Sequence, residues 1–358
     1  MNGARILVAP LDWGLGHAAR CVPVVRALLR RGAVPIIAAD KGPLALLQAE
    51  FPQLEHVRLP GITVRYSGGG LQLVRMALQF PAMVRQVQAE QRAFERLRRT
   101  LRIDAVISDQ RFGVRSADLP SVLITHQVFP FTPMAQGALR KVNLRHIERF
   151  HRCWVMDEPD APGLAGELSH AAGAWTRMPA KARYIGALCR MRPSNGPEHD
   201  VVAVISGPEP QRTLFERELI SVLSTLPGRH VLVRGLPHMA HEVGEERIGN
   251  VQAMAHADAD TLQGLLNGAR AIVSRTGYTT LMDLAALGRS ALIVPTPGQP
   301  EQEYLGRLHS RTGRFVVQQQ GHLDLSAKVL QRVSGKQSVA ANTVLLQQAF
   351  DDLQTLLR

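Results

Sequence analysis

The stretch Ser274-Arg275-Thr276-Gly277-Tyr278-Thr279-Thr280-Leu281-Met282-Asp283-Leu284-Ala285-Ala286-Leu287-Gly288 stands between two apolar runs. Ala271-Ile272-Val273 precedes it, and Ala291 to Val294 follows, closing at Pro295-Thr296-Pro297-Gly298. The pattern predicts a strand, a Gly-bearing turn, a helix and a second strand. Ligands of an open α/β sheet bind beyond the carboxyl ends of its strands. Thr276 and Gly277 start a helix at that edge, turning its unsatisfied N–H groups and positive dipole end to the crevice. A diphosphate is the natural occupant. Arg275, at the strand end, has the planar fork that pairs phosphate oxygens two at a time; a salt bridge to Asp283 is the competing use. Thr279 and Thr280 either add hydroxyls to the site or pack within the helix.

Working outward, the same alternation fills the second half of the chain, with strands expected at Val201 to Ile205, His230 to Arg234, Ala271 to Ser274 and Ala291 to Pro295. The first half opens with a strand over Arg5 to Pro10, a loop bearing Gly14 and Gly16, and a helix from about His17 to Arg31 that Gly32 stops. A strand (Val34 to Ala39), a helix (Pro43 to Glu50) and a strand (Glu55 to Leu59) follow, and this βαβαβ order predicts a parallel, doubly wound sheet. Later strands are expected at Asp104 to Ser108, Ser121 to Thr125, Cys153 to Met156 and Arg183 to Ile185. The polar, Pro- and Gly-bearing residues 190–200 read as a linker. The expected architecture is α/β: two Rossmann-like domains, residues 1–189 and 201–337, facing across a cleft, followed by a terminal helical stretch at 338–358.

A chain of 358 residues is long enough for two such cores. It has no apolar run of about 18 residues to span a bilayer and no secretory signal pattern at its start. Cys21, Cys153 and Cys189 lack metal spacing and suit reduced thiols, so a cytoplasmic protein is expected. The net charge of +12 is carried almost wholly by Arg. Within 65–102, Arg65, Arg75, Arg85, Arg92, Arg96, Arg98, Arg99 and Arg102 face only Glu90 and Glu95, and a second knot is Arg140, Lys141, Arg145, Arg149 and Arg152 against Glu148. Such patches attract phosphates, nucleic acid or anionic lipid headgroups. Nucleic acid is disfavoured: no recognisable motif accompanies the charge, and 5% aromatics are too few for a stacking platform. The segment Leu71 to Val87 mixes apolar residues with Arg75 and Arg85 and is either a bilayer-facing stretch or a core helix broken by Pro81.

The chemistry-bearing candidates sit at expected strand ends. In Leu11-Asp12-Trp13-Gly14-Leu15-Gly16-His17-Ala18-Ala19-Arg20, the glycines allow close backbone approach to a ligand, and the full dinucleotide pattern is absent, which disfavours NAD. His17 lies where a helix begins, and positive charge is disfavoured there, so its imidazole is suited to accept a proton. Asp109, after Asp104 to Ser108, could orient that imidazole or cap a turn. His126 is a candidate acceptor contact, and Arg111 a phosphate ligand. In the second half, Ser206 and Gly207 open a loop whose prolines lack N–H donors, leaving Arg212 and Thr213 as helpers. Asp258-x-Asp260 is a common polar-loop pair and is not read as a metal site.

These residues carry a resemblance. Arg275-x-Gly277-x-x-Thr280, Asp283 four residues after Thr279, Ala285-Ala286-Leu287-Gly288, the Val294-Pro295 turn and the helix start Gln299-Pro300-Glu301-Gln302-Glu303 resemble the donor half of GT-B glycosyltransferases. The bacterial N-acetylglucosaminyltransferase of peptidoglycan synthesis and its UDP-sugar-using relatives are the nearest pattern. The Gly14-x-Gly16-His17 loop resembles the acceptor loop of those enzymes and of UDP-sugar hydrolases sharing their fold. The resemblance implies a UDP-linked sugar donor, with Ser206, Gly207, Arg275, Thr276, Gly277 and Thr279 near the diphosphate, Asp283 on the ribose, and Gln302 with Glu303 on the sugar. It further implies Gly14, Gly16, Arg111 and His126 on the acceptor side, His17 and Asp109 as catalytic pair, inversion, no metal and no cofactor, and a terminal helix returning to the first domain. Asp283 replaces the family's usual Glu, and Glu303 a second Gln, so the sugar stays open. So does the choice between transfer to an acceptor, water attack as in a UDP-sugar hydrolase, and a catalytically idle nucleotide-sugar sensor.

Overall fold

The computed structural model describes residues 1–12, 14–61, 72–131, 136–173, 176–236, 239, 244–334 and 343–357, without the side chains of 72–84, 86 and 343. The chain divides into two compact units, Met1–Arg190 with Asn342–Arg358, and Met191–Ala341. In the first unit the order is β1 (Arg5–Pro10), α1 (Leu15–Arg30), β2 (Val34–Ala39), α2 (Lys41–Glu50), β3 (Glu55–Arg58), α3 (Gln72–Thr100), β4 (Ala105–Asp109), β5 (Ser121–Thr125), α4 (Gln136–Ile147), β6 (Arg152–Val155) and β7 (Ala182–Tyr184). In the second it is β8 (His199–Val204), α5 (Gln211–Leu223), β9 (His230–Val233), β10 (Glu246–Ile248), β11 (Val251–Met254), α6 (Ala259–Gly268), β12 (Ala269–Arg275), α7 (Tyr278–Ala286), β13 (Leu292–Val294), α8 (Pro300–Thr312), β14 (Val316–Val317) and α9 (Ala327–Val333). The last helix, α10 (Thr343–Leu356), belongs to the first unit.

Each unit carries a seven-stranded sheet. The first is parallel throughout in the order β3-β2-β1-β4-β5-β6-β7. The second runs β10-β11-β9-β8-β12-β13-β14, parallel except for the β10–β11 hairpin. Both are doubly wound, and in both the strand order reverses at one place, between β1 and β4 and between β8 and β12. The central strands are continuous apolar runs because helices cover both faces, as in all-parallel sheets generally: Ile6 to Ala9, Ala105 to Ile107 and Ala271 to Val273 are buried. The short β10, β11 and β14 are not among the strands expected from the sequence.

The terminal helix is held by specific contacts. Phe350 meets Trp154 of β6 edge to face at 5.0 Å, and the Arg31 guanidinium lies 5.5 Å from the Phe350 ring centroid. Arg152 holds Asp352 with two donors, and Arg31 holds Asp351 at 2.7 Å. The stretch expected as a linker is also engaged. Arg192 N–H donates to Gln263 Oε1 at 2.8 Å and Ser194 N–H to Asn267 Oδ1 at 3.1 Å, both on α6. A Cβ on Gly196 would come within 2.0 Å of the Gly264 carbonyl oxygen, so only glycine lets this segment lie against α6.

No helix among the described residues is long and apolar enough to cross a membrane. The first part of α3, with the Leu71–Val87 stretch considered for a bilayer surface, lies largely outside the described side chains. Further along α3, Arg92, Arg96 and Arg99 are exposed, whereas Arg98 is held by Asp118 and Ser116. Gly196→Ala is expected to destabilise the second unit by about 1–3 kcal/mol through this overpacking, measured by urea denaturation; an unchanged midpoint would mean the segment is not docked on α6.

Candidate active site

The reversal of strand order in the first sheet sets β1 beside β4, with Pro10 in register with Asp109. The loop after β1 leads through Gly14, whose φ of +146° suits glycine, into α1. That helix begins at Leu15 and carries His17 in its first turn. Asp109 is the last residue of β4 and fully buried. Its Oδ2 lies 2.8 Å from His17 Nδ1. Arg20, one turn further along α1, donates to both oxygens of the same carboxylate, from Nε to Oδ2 at 2.9 Å and from Nη2 to Oδ1 at 2.6 Å. His126, after β5, is buried beside this group.

Electrostatics follow from that packing. Burial pushes the His17 imidazole below the ordinary value of 6.5; the Arg20 charge pushes the same way, and Asp109 opposes both. Burial and then Arg20, rather than the helix start, keep the ring neutral. Burial alone would raise Asp109, but Arg20 and then His17 outweigh it and hold the carboxyl below its ordinary value. With both groups displaced downward, the unfolded chain takes up protons first on acidification. The pair's contribution to stability is complete above 6.5 and is lost as pH falls through the folded values.

The second sheet reverses between β8 and β12. Beyond β8, Ser206 and Gly207 are exposed, and Gly207 has φ +113°. Beyond β12, Thr276 is fully buried and its hydroxyl has no hydrogen-bond partner; Thr296, beyond β13, is 3% exposed with the same deficit. A Cβ on Gly207 would lie 3.8 Å from Thr296 Oγ1, so the loops after β8 and β13 converge. Gly277 caps α7 without any side-chain oxygen. Thr279 and Asp283 are half-buried on that helix. Two buried hydroxyls and an uncapped helix start therefore meet one sheet edge, an arrangement suited to an anion's oxygens.

No model of a known protein family matches the chain. It is similar to an uncharacterized glycosyltransferase of Methanopyrus kandleri, 22% identical over 291 residues that cover 77% of this chain and 81% of that one. The glycosyltransferase SnogD from Streptomyces nogalater matches with a TM-score of 0.64 at 20% identity over 100% of both chains. MurG of Acinetobacter baumannii matches with 0.57 at 13% over 99% of both, and the glycosyltransferase VinC, solved in complex with dTDP, with 0.58 at 14% over 99% of both. The fold is GT-B.

Within this GT-B chain, several expected ligands prove to be occupied by the protein itself. Arg275 is fully buried, and among the described residues no carboxylate pairs with it. Its Nη2 donates to the Gln211 carbonyl at 2.9 Å and to Gln320 Oε1 at 2.6 Å, its Nη1 points at the Val294 and Pro295 carbonyls, and its guanidinium carbon lies 3.9 Å from the Phe215 ring centroid. Burial pulls it down to about 10, with Glu218 acting in the opposite direction. Arg275, expected near the diphosphate, thus also ties the start of α5 to the ends of β12 and β13. Arg111, expected on the acceptor side, pairs with buried Glu90 at 2.6 Å and donates to the Leu59 and Pro60 carbonyls at 3.0 and 2.8 Å. Arg212 is paired with Glu209 and Glu216. Gln302 Oε1 accepts from Thr296 N–H at 2.9 Å, and Glu303 from Gly298 N–H at 2.8 Å, so both shape the β13–α8 loop.

Asp258 is the N-cap of α6, accepting from Thr261 N–H. Among the described residues no cluster of three His, Cys, Asp or Glu side chains could hold a metal ion. Two residues not among the candidates read from the sequence lie at the sites: Arg20, signalled only by its i, i+3 spacing from His17, and Thr296, signalled only by its place after a strand. Arg111→Ala is expected to cost about 3–5 kcal/mol, because it strands the Glu90 carboxylate in the core; chemical denaturation measures it, and a loss below about 1 kcal/mol would restore Arg111 as a ligand.

Proposed function

We propose that the protein is an inverting, metal-independent glycosyltransferase that moves a sugar, a hexose or N-acetylhexosamine, from a UDP-linked donor to an acceptor hydroxyl. The observation that carries this reading is the 2.8 Å contact of His17 with buried Asp109 at the carboxyl edge of a GT-B unit. Nδ1 faces the carboxylate, which leaves Nε2 as the proton-accepting atom. In the reaction the acceptor oxygen bonds to the anomeric carbon and gives its proton to Nε2, while the bond from that carbon to the diphosphate oxygen breaks and UDP departs. A positioned base of this kind contributes about 10²–10⁴-fold. In the second unit the α7 start and the Thr276 and Thr296 hydroxyls are suited to the leaving diphosphate, whose charge preorganised donors stabilise electrostatically. The exposed Arg92, Arg96 and Arg99 favour a phosphate-bearing acceptor, peripheral at an anionic membrane face.

His17→Ala should lower turnover at least 100-fold while UDP affinity, by calorimetry, stays within about twofold; loss of binding instead would make His17 a donor contact. A nucleotide-sugar screen that includes dTDP-linked donors, run with and without acceptors, tests the donor, and release of free sugar without any acceptor would convert the reading to a hydrolase. Turnover should persist as pH falls below 6.5 and fail only once His17 is protonated, since its folded value is displaced downward. Thr296→Val should leave the free protein as stable or more so, because it removes an unpartnered buried hydroxyl, and should weaken UDP binding by about 0.5–1.5 kcal/mol. Unchanged UDP affinity would remove that edge as the diphosphate site.

A further inference from the structure

His17 Nδ1 has two neighbours that make opposite demands on it. Asp109 Oδ2, at 2.8 Å, requires a hydrogen on Nδ1, whereas Arg20 Nη2, at 2.6 Å, requires a lone pair there. One nitrogen satisfies only one of them in any state. Arg20 is 3% exposed and already binds both oxygens of Asp109, so the carboxylate is not a dedicated partner of the ring. We propose that Arg20 is a positioning residue of this site: it fixes Asp109 with two donors and sets its guanidinium against Nδ1, so that the ring waits in its neutral form with the Nδ1 hydrogen on Asp109 and the lone pair on Nε2. The inference rests on the reading of His17 as the proton acceptor and adds what sets its readiness.

The balance of charges supports it. In the imidazolium Nδ1 still donates to Asp109 and a second positive charge stands beside the guanidinium, so Arg20 opposes protonation by charge. Two further titratable groups among the described residues bear on the pair. His126, beyond β5, adds repulsion to a charged His17. Cys21, next to Arg20 on α1 and facing the same carboxylate, is raised well above 9.0 by burial first and stays a neutral thiol. An arginine here therefore keeps the general base unprotonated over a wider acid range than an Asp-backed histidine alone, and gives up part of the stabilisation of the imidazolium that forms in the reaction.

The test is an NMR titration of the His17 ring in the full chain, its signal among the thirteen histidines identified by its absence in His17→Gln. Arg20→Gln should move the midpoint upward by one unit or more, about tenfold in proton affinity. Arg20→Lys, which keeps a charge but not the two-donor fork, should move it by less than half as much. An unmoved midpoint in folded Arg20→Gln overturns the proposal, as do equal displacements in the two variants. Should Arg20→Gln not fold, Arg20→Lys decides, and an unmoved midpoint there overturns it. If the midpoints move as expected and neither the natural protein nor any variant turns over a nucleotide sugar, the positioning role stands and the glycosyltransferase reading fails.

Discussion

A parallel strand that must leave its sheet and re-enter it can go to either side, and where the direction changes, two neighbouring loops part and leave a crevice. Each unit of this chain has one such place. Between β1 and β4 it brings together a helix start and a strand end that are 92 residues apart in sequence, and His17 meets Asp109 there. Between β8 and β12 it brings the Ser206–Gly207 loop to the edge that holds Thr276. Everything with a chemical role in the sites described depends on that reversal, because no local element could bring these side chains together.

The second organising feature is the use of arginine inside the protein. Arg20, Arg111 and Arg275 are each at least 97% buried, and each donates to more than one acceptor atom. A lysine would bring one point of charge, whereas the guanidinium spans several carbonyls or both oxygens of a carboxylate at once. Arg111 ties β4 to the end of β3 through Glu90 and two carbonyls. Arg275 does the same for the loops of the second unit with no acid paired to it among the described residues, and the Phe215 ring face supplies part of the compensation. A part of the chain's arginine excess therefore serves the cores, while the exposed arginines of α3 keep the basic surface.

Residues at strand ends were legible as candidates because apolar runs mark the strands and each sheet edge collects the polar residues that follow. What the pattern could not distinguish was a side chain turned toward a ligand from one folded back into the protein. Asp109 and Arg111 lie two residues apart and looked equally available; one reaches His17 and the other is enclosed by Glu90, Leu59 and Pro60. Gln302 and Glu303, expected on a sugar, hold backbone N–H groups of their own loop. Strand direction is written in local hydrophobicity, but the destination of a long polar side chain depends on acceptors that other segments bring.

By itself, the sequence determined the doubly wound α/β class and the GT-B resemblance, since buried parallel strands must be apolar throughout and the glycines mark where helices start. Only the tertiary structure decided which charges are available for chemistry. Pairing is a matter of two or three ångströms between residues tens to hundreds of positions apart, as with Arg152 and Asp352 or Arg20 and Asp109. Whether a histidine behaves as a base or as an inert ring depends on burial and on the guanidinium beside it, and both exist only once the chain has folded.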